Sequence, residues 1–367
     1  MCTFFYVPEF EGIFLNLANL ARMQEDTPYI KLKISKIEQA ANKVKLFYFE
    51  PAAIKYKAGQ YLTFSIPENE IELRRSYSIA SSPDLNEPLF IGVKRVENGL
   101  FSRKLYDLAA PGDELITLGA GGVFVLPKDL NAFPQLYFFA AGSGIIPIFS
   151  LVKTALYINK EVEIILVYSN HSEADTIFYT ELQELKKNYG ERFKLKFLFS
   201  NSKDLLNARL HSGMILRILK TYSQKDFSKA LYYVCGPENY MLRCTSTLRN
   251  LFIPQDHIKK EVFFTRLPAI RNEPPDTSPY TAKLFFQGAE HIIEGQYPES
   301  LLQSAKKNGI ILPYSCEAGR CGNCIAKCES GKVWMAYNEV LTEAEVKEGY
   351  FLTCTGYPMG ENVEVII

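Results

Sequence analysis

The sequence predicts three domains in series: an antiparallel β-barrel, a doubly wound parallel α/β sheet, and a small α+β module. Three observations predict this arrangement. Short β-rich runs follow one another between Tyr29 and Pro127, and apolar runs then alternate with amphipathic stretches from Gln135 to Phe264. Beyond Tyr280 a cysteine-bearing loop interrupts short strands. A chain of 367 residues is also too long for one compact core. With 47% hydrophobic and 22% charged residues, its composition is that of an ordinary folded protein.

In the first segment, residues 29–128, the runs KLKISKIEQ, KVKLFYFE, YLTFSI, RSYSIAS, PLFIGVKRV and DELITLG are separated by turn signals such as Pro111-Gly112-Asp113. That spacing suggests an antiparallel barrel, interrupted by one helix, LFSRKLYDLA, after Gly99. In the second, residues 135–264, the strands QLYFFAA, EVEIILVYSN, FKLKFLFS and ALYYVCG alternate with the helices IFSLVKTALY, IFYTELQELKKNY, MILRILKTYS and ENYMLRCTSTLRN. This rhythm implies βαβ units. Residues 265–280, rich in proline and polar side chains, read as a linker. The third segment, residues 281–367, opens with a candidate hairpin and the helix SLLQSAKKNG. Ahead of the barrel, in residues 1–28, Phe10, Ile13, Phe14, Leu17 and Leu20 recur at helical spacing, so an amphipathic helix packed on the barrel is expected.

Lys plus Arg equals Asp plus Glu, at 41 each, which argues against nucleic acid as a partner. From Tyr280 onward seven basic residues face eleven acidic ones, so the third segment is net negative and the rest net positive. The most apolar run, Leu136 to Val152, is short for a membrane span and is broken by Gly, Ser and Pro. No basic n-region precedes an apolar stretch at the N-terminus, so the expected setting is cytoplasmic, with no membrane partner. Structural disulfides are rare there.

Cys316, Cys321, Cys324 and Cys354 have the spacing C-x4-C-x2-C-x29-C, which matches the plant-type [2Fe–2S] ligand pattern. A loop folded over two irons must aim successive thiolates at different metal atoms, and Gly319 and Gly322 permit the turns this requires. Zinc commonly uses two short cysteine pairs, whereas here only one C-x2-C exists. Zinc therefore stays as the alternative, in a non-catalytic interaction module. Cys328 falls outside the spacing and reads as a small buried residue.

The text LPYSCEAGRCGNC followed by GKVWMAYNEVLTEAEVKEGYFLTCTGYP resembles the C-terminal ferredoxin domain of the flavin reductases that serve multicomponent oxygenases. The resemblance implies a β-grasp ferredoxin fold for the third segment. In the barrel, Arg75-Ser76-Tyr77-Ser78 supplies a cation, an aromatic surface and a hydroxyl on one strand. Gly99 and Ser102 sit where a helix begins, and free amides there bind phosphate. Together these elements resemble the flavin barrel of the ferredoxin–NADP reductase superfamily. That resemblance implies Arg75 on flavin phosphate, Tyr77 on the ring, Ser78 near N5, and FAD rather than FMN.

Gly142-Ser143-Gly144-Ile145-Ile146-Pro147 follows a strand and opens a helix, where glycine lets backbone approach a pyrophosphate. The superfamily uses G-x-G-x-x-P at this place, and Cys235-Gly236-Pro237 after the fourth α/β strand matches as well. By resemblance Cys235 lies beside the nicotinamide, and Glu261 and Phe263 match the acidic and aromatic pair that flanks the flavin. The coenzyme is NADPH or NADH, because Ser169-Asn170-His171 and Ser200-Asn201-Ser202-Lys203 carry no arginine. His171 reads as a loop residue rather than a base.

The domain order resembles the reductase components of phenylacetyl-CoA epoxidase and ketosteroid hydroxylases. It implies an oxidoreductase passing electrons from NAD(P)H through FAD and [2Fe–2S] to an oxygenase or other acceptor protein. The catalytic candidates are Ser78, Cys235 and Glu261. The alternative within the same chemistry is a stand-alone dehydrogenase that reduces small acceptors.

Overall fold

The computed structural model describes residues 29–68, 71–222, 226–263 and 273–367. The helix expected in residues 1–28 and most of the expected linker lie outside the described residues.

Six strands form the first unit: β1 (Ile30–Ala41), β2 (Val44–Phe49), β3 (Tyr61–Glu68), β4 (Ile71–Ser78), β5 (Phe90–Lys94) and β6 (Glu114–Gly121). All their ladders are antiparallel, in the order β4-β3-β6-β1-β2-β5. A bridge between Ile79, just past β4, and Ile91 of β5 joins the two ends into a barrel. Its interior is packed by Leu32, Phe47, Leu62, Phe64 and Ile91, each fully buried. Helix α1 (Leu100–Leu108) adds Phe101 and Leu105 to that core.

In the second unit β7 (Gln135–Ala141), β8 (Glu163–Asn170), β9 (Phe193–Phe199), β10 (Leu231–Cys235) and β11 (Ile258–Glu261) pair in parallel, in the order β11-β10-β7-β8-β9. Helices α2 (Ile145–Ile158), α3 (Tyr179–Tyr189), α4 (Ser212–Tyr222) and α5 (Glu238–Asn250) are interleaved with them. Apolar side chains fill both faces of the sheet, as a buried parallel sheet requires. Strand β11 is absent from the strands read in the sequence: Ile-Lys-Lys-Glu shows no apolar run, and it forms only as the edge partner of β10. Pro147 stands in the first turn of α2, where its missing N–H has no partner to lose.

The third unit has a mixed sheet in the order β13-β12-β18-β14-β16. Its strands are β12 (Tyr280–Phe286), β13 (Ala289–Gly295), β14 (Ile325–Ser330), β16 (Tyr350–Leu352) and β18 (Val363–Ile366). The pair β15 (Val333–Met335) and β17 (Gly356–Pro358) stands apart from it. Helix α6 (Leu301–Lys307) is set by a capping box in which Ser300 and Gln303 satisfy each other's backbone N–H groups. Thr342 and Glu345 start α7 (Glu343–Lys347) in the same way.

The units join in two different ways. Barrel residues Val44, Leu46 and Phe90 belong to the same apolar core as Leu136, Phe138, Ile146 and Phe149 of the α/β sheet. Within that joint the Lys153 ammonium bonds both carboxylate oxygens of Glu87, at 2.7 and 2.5 Å. The third unit keeps a core of its own. Among the described residues no helix is long and apolar enough to cross a membrane.

Candidate electron-transfer site

The cysteine loop precedes β14. Glu317, Gly319 and Gly322 all take positive φ, at 52°, 70° and 75°, which turns successive thiols and amides inward. The thiols fall into two pairs: Cys324 and Cys354 are 3.3 Å apart at sulfur, and Cys316 interacts with Cys321. Two pairs suit two irons, each held by two thiolates, rather than a single zinc. The Ala318 amide donates to the Cys316 sulfur at 3.4 Å. The Cys321 thiol first, and then the amides of Ala318, Arg320 and Cys321, hold the Cys316 thiol below the ordinary range. The donor set thus fits a [2Fe–2S] cluster.

This loop borders a cleft of about 800 Å³ in which all three units meet. Arg74, Ser76 and Ser78 line it from β4, Glu261 and Phe263 from the end of the α/β unit, and Cys316 and Cys321 from the third. The Glu261 carboxyl is buried: Ser78 Oγ donates to Oε1 at 3.3 Å, while Oε2 is buried without a partner. Burial pushes this carboxyl up to about 8, and the Ser78 hydroxyl pulls against that shift. Cys235 is paired in register with Glu261 and fully buried, so burial and then the Glu261 charge raise its thiol well above the ordinary range. A buried carboxyl oxygen without a partner, facing a cleft of ligand size, fits a bound polar ring.

Tyr77 lies in the same strand, opposite Leu62, and its ring packs on Phe101 of α1 at 5.7 Å between centroids. The Arg-x-Tyr-Ser strand and the Gly99–Ser102 helix start therefore meet in space. Gly99 caps α1, and a Cβ there would stand 2.4 Å from Ser102 Oγ. That hydroxyl accepts from the Val96 amide and donates to the Gly99 carbonyl, so it shapes its own turn. Arg75 is exposed, with one guanidinium nitrogen on the Arg74 carbonyl.

A second cleft, of about 570 Å³, opens at the carboxyl ends of the parallel strands, where an open α/β sheet binds ligands. Gly142, Ser143 and Pro237 line it. Gly142 has φ 54°, and a Cβ on it would meet nothing within 4 Å. Gly144 is glycine for packing: a Cβ would fall 2.2 Å from the Cys235 carbonyl oxygen. Gly236 is similarly close to Ala141, at 3.0 Å. The two motifs are therefore pressed together. Ser169, Asn170 and Tyr240 line this cleft with buried polar groups, as sites for ligand hydroxyls would be.

Sequence reasoning passed over several of these residues. Tyr61, Arg74, Ser76 and Ser315 join the barrel to the cysteine loop, and Tyr240, Arg209 and Arg243 line the second cleft. The His171 ring meets the Ser200 hydroxyl at 3.2 Å, on a loop bordering that cleft.

Comparison with known proteins agrees with this architecture. Residues 31–125 match the oxidoreductase FAD-binding domain, residues 138–247 the oxidoreductase NAD-binding domain, and residues 284–359 the 2Fe-2S iron-sulfur cluster binding domain. The chain is 32% identical to the ferredoxin reductase component of 3-ketosteroid-9-alpha-monooxygenase from Mycolicibacterium smegmatis, over 85% of this chain and 87% of that one. The chain belongs to the ferredoxin–NADP reductase superfamily, in the branch with a C-terminal [2Fe–2S] domain. One component of the 1,2-phenylacetyl-CoA epoxidase of Escherichia coli is 29% identical over 92% of this chain and 98% of that one. The solved phthalate dioxygenase reductase shares the fold, with a TM-score of 0.57 and 22% identity over 93% of this chain and 98% of that one. This reductase is therefore an oxidoreductase that passes electrons from NAD(P)H through FAD to a [2Fe–2S] cluster.

Proposed function

We propose that this reductase delivers those electrons to an oxygenase component, since its relatives carry the names of monooxygenase reductases. The observation that carries the reading is the shared cleft, where Cys316 and Cys321 face the same space as Ser78 and Glu261. Bound FAD and the cluster supply the conversion from hydride to single electrons. The chain's own residues hold and insulate that conversion. Cys316, Cys321, Cys324 and Cys354 hold the cluster. Arg75, Tyr77, Ser78 and the helix start at Gly99 and Ser102 hold the flavin, and Phe263 covers its ring. Gly142, Gly144, Pro147, Gly236 and Pro237 shape the nicotinamide site, with Cys235 behind it.

With its carboxyl raised to about 8, Glu261 carries a proton at neutral pH. The Ser78 hydroxyl, 3.3 Å away, links that carboxyl to the cleft. This pair keeps a buried negative charge away from the place where hydride arrives. The acidic third unit suits a basic patch on the acceptor, and the free cysteines suit a cytoplasmic setting.

The test is anaerobic mixing with NADPH and, separately, NADH, following flavin bleaching and then cluster reduction. Bleaching followed by cluster reduction is the expected result. A colourless protein without flavin or iron would overturn the assignment. Fast turnover with small acceptors and none with any oxygenase would favour the stand-alone dehydrogenase.

A further inference from the structure

The cysteine loop does more than border the cleft; it is seated on the barrel. The Tyr61 hydroxyl donates to the Cys321 carbonyl oxygen at 3.3 Å, and Tyr61 is only 5% exposed. Tyr61 pairs across the ladder with Ser78, so one β-sheet register ties the loop to the hydroxyl that bonds Glu261. Beside it, the end of β6 runs Gly121-Gly122. A Cβ on Gly121 would stand 2.2 Å from Asn323 Oδ1, and one on Gly122 would stand 2.7 Å from the Tyr61 ring. From the loop side, a Cβ on Gly322 would be 3.2 Å from Val123 Cγ1. Glycine on each segment thus lets a side chain of the other, Asn323 on one side and Val123 on the other, lie against bare backbone in a close, shaped contact.

The rim of this contact is polar. Ser76 Oγ and Ser315 Oγ are 2.6 Å apart, and the Arg74 guanidinium lies 3.7 Å from the centre of the Tyr314 ring. The third unit keeps its own core, so this seat and its polar rim set where the loop lies relative to the cleft. Electron passage falls steeply with separation, so a seat that fixes the loop also fixes the rate.

We propose that Tyr61 and the Gly121–Gly122 edge form a socket for the Cys321–Cys324 loop, making Tyr61 a positioning residue for electron passage from flavin to cluster. The inference rests on the function proposed above. A hydride brings two electrons, and the cluster accepts one at a time. The socket therefore serves two successive one-electron transfers per NAD(P)H oxidised, and the hydride's proton leaves separately to solvent.

The test uses the full holoprotein, with flavin and iron content first shown equal to wild type. Gly121→Ala places a methyl group against Asn323, and Gly121→Ala with Asn323→Ala removes the atom it meets. In anaerobic stopped flow the single variant should bleach flavin at the wild-type rate but reduce the cluster more slowly. The double variant should recover. Tyr61→Phe should lower the ratio of the cluster phase to the flavin phase on the order of fivefold, the worth of one net hydrogen bond. Hydrogen exchange at residues 316–324 should rise in Gly121→Ala and Tyr61→Phe, with β1 and β2 unchanged. Unchanged cluster rates in both variants, or no recovery in the double variant, would overturn the socket. A wild-type protein whose cluster is never reduced would overturn the functional reading instead.

Discussion

Replacing Glu261 with Gln tests the electrostatics of the cleft most directly. Burial raises this carboxyl from 4.5 to about 8, so at pH 7 on the order of one molecule in ten carries the charge. Ionising it inside the fold costs on the order of 5 kcal/mol more than in water. The direction follows from linkage. Between pH 4.5 and about 8 the folded protein binds a proton that the unfolded chain has lost. This group's contribution to stability is therefore complete below pH 4.5 and is lost as pH rises through about 8. On the function proposed above, the same ionisation sets a negative charge beside the hydride acceptor, so flavin bleaching by NADPH should slow as pH rises through about 8. Gln is neutral at every pH and should keep the low-pH rate on the alkaline side. The assay is anaerobic stopped flow from pH 6 to about 10, the range spanning that titration. An alkaline fall that survives unchanged in Glu261→Gln would refute the reasoning.

Cys321→Ser should lose iron and cluster reduction while hydride transfer to flavin continues, read from metal content and the two optical phases. Arg209, Arg243, Lys43 and Lys94 line the second cleft against the single carboxylate of Asp175. Arg209→Ala should therefore raise KM for NADPH about tenfold and leave KM for NADH nearly unchanged, with kcat little altered. Glu87→Ala strands the Lys153 ammonium between barrel and α2 and should destabilise that joint by about 3 kcal/mol, whereas Lys153→Met with Glu87→Leu should restore much of it. Denaturant unfolding of the single and double variants checks this.

The 2Fe-2S domain was legible because its signal is local: four cysteines at fixed spacing, with Gly319 and Gly322 where φ turns positive. The barrel and the α/β sheet were legible as rhythm, since buried parallel strands such as Gln135–Ala141 read as unbroken apolar runs. What escaped was relational. β11 carries no pattern of its own and exists because β10 offers it an edge. Tyr61 and Cys321 are 260 positions apart, and no window of sequence contains both. Gly121 looks like an ordinary loop glycine until Asn323 is placed, and Gly144, legible as part of a phosphate motif, shows its packing reason only once the Cys235 carbonyl is placed beside it. The basic lining of the second cleft was missed for the same reason, because Arg209 and Arg243 lie outside the loops where a phosphate anchor is usually sought.

The barrel and the α/β sheet share apolar core residues, whereas the ferredoxin unit, among the described residues, has an apolar interior to itself. This difference sets how freely each part can change over generations. A substitution at Phe90 or Phe149 must be accommodated on both sides of a common interior, so those two parts are bound to vary together. Among the described residues the ferredoxin meets the barrel at the seat around Tyr61 and its polar rim rather than through a common core. Ferredoxin positions outside that seat can therefore drift toward a new acceptor while the hydride-handling machinery stays as it was.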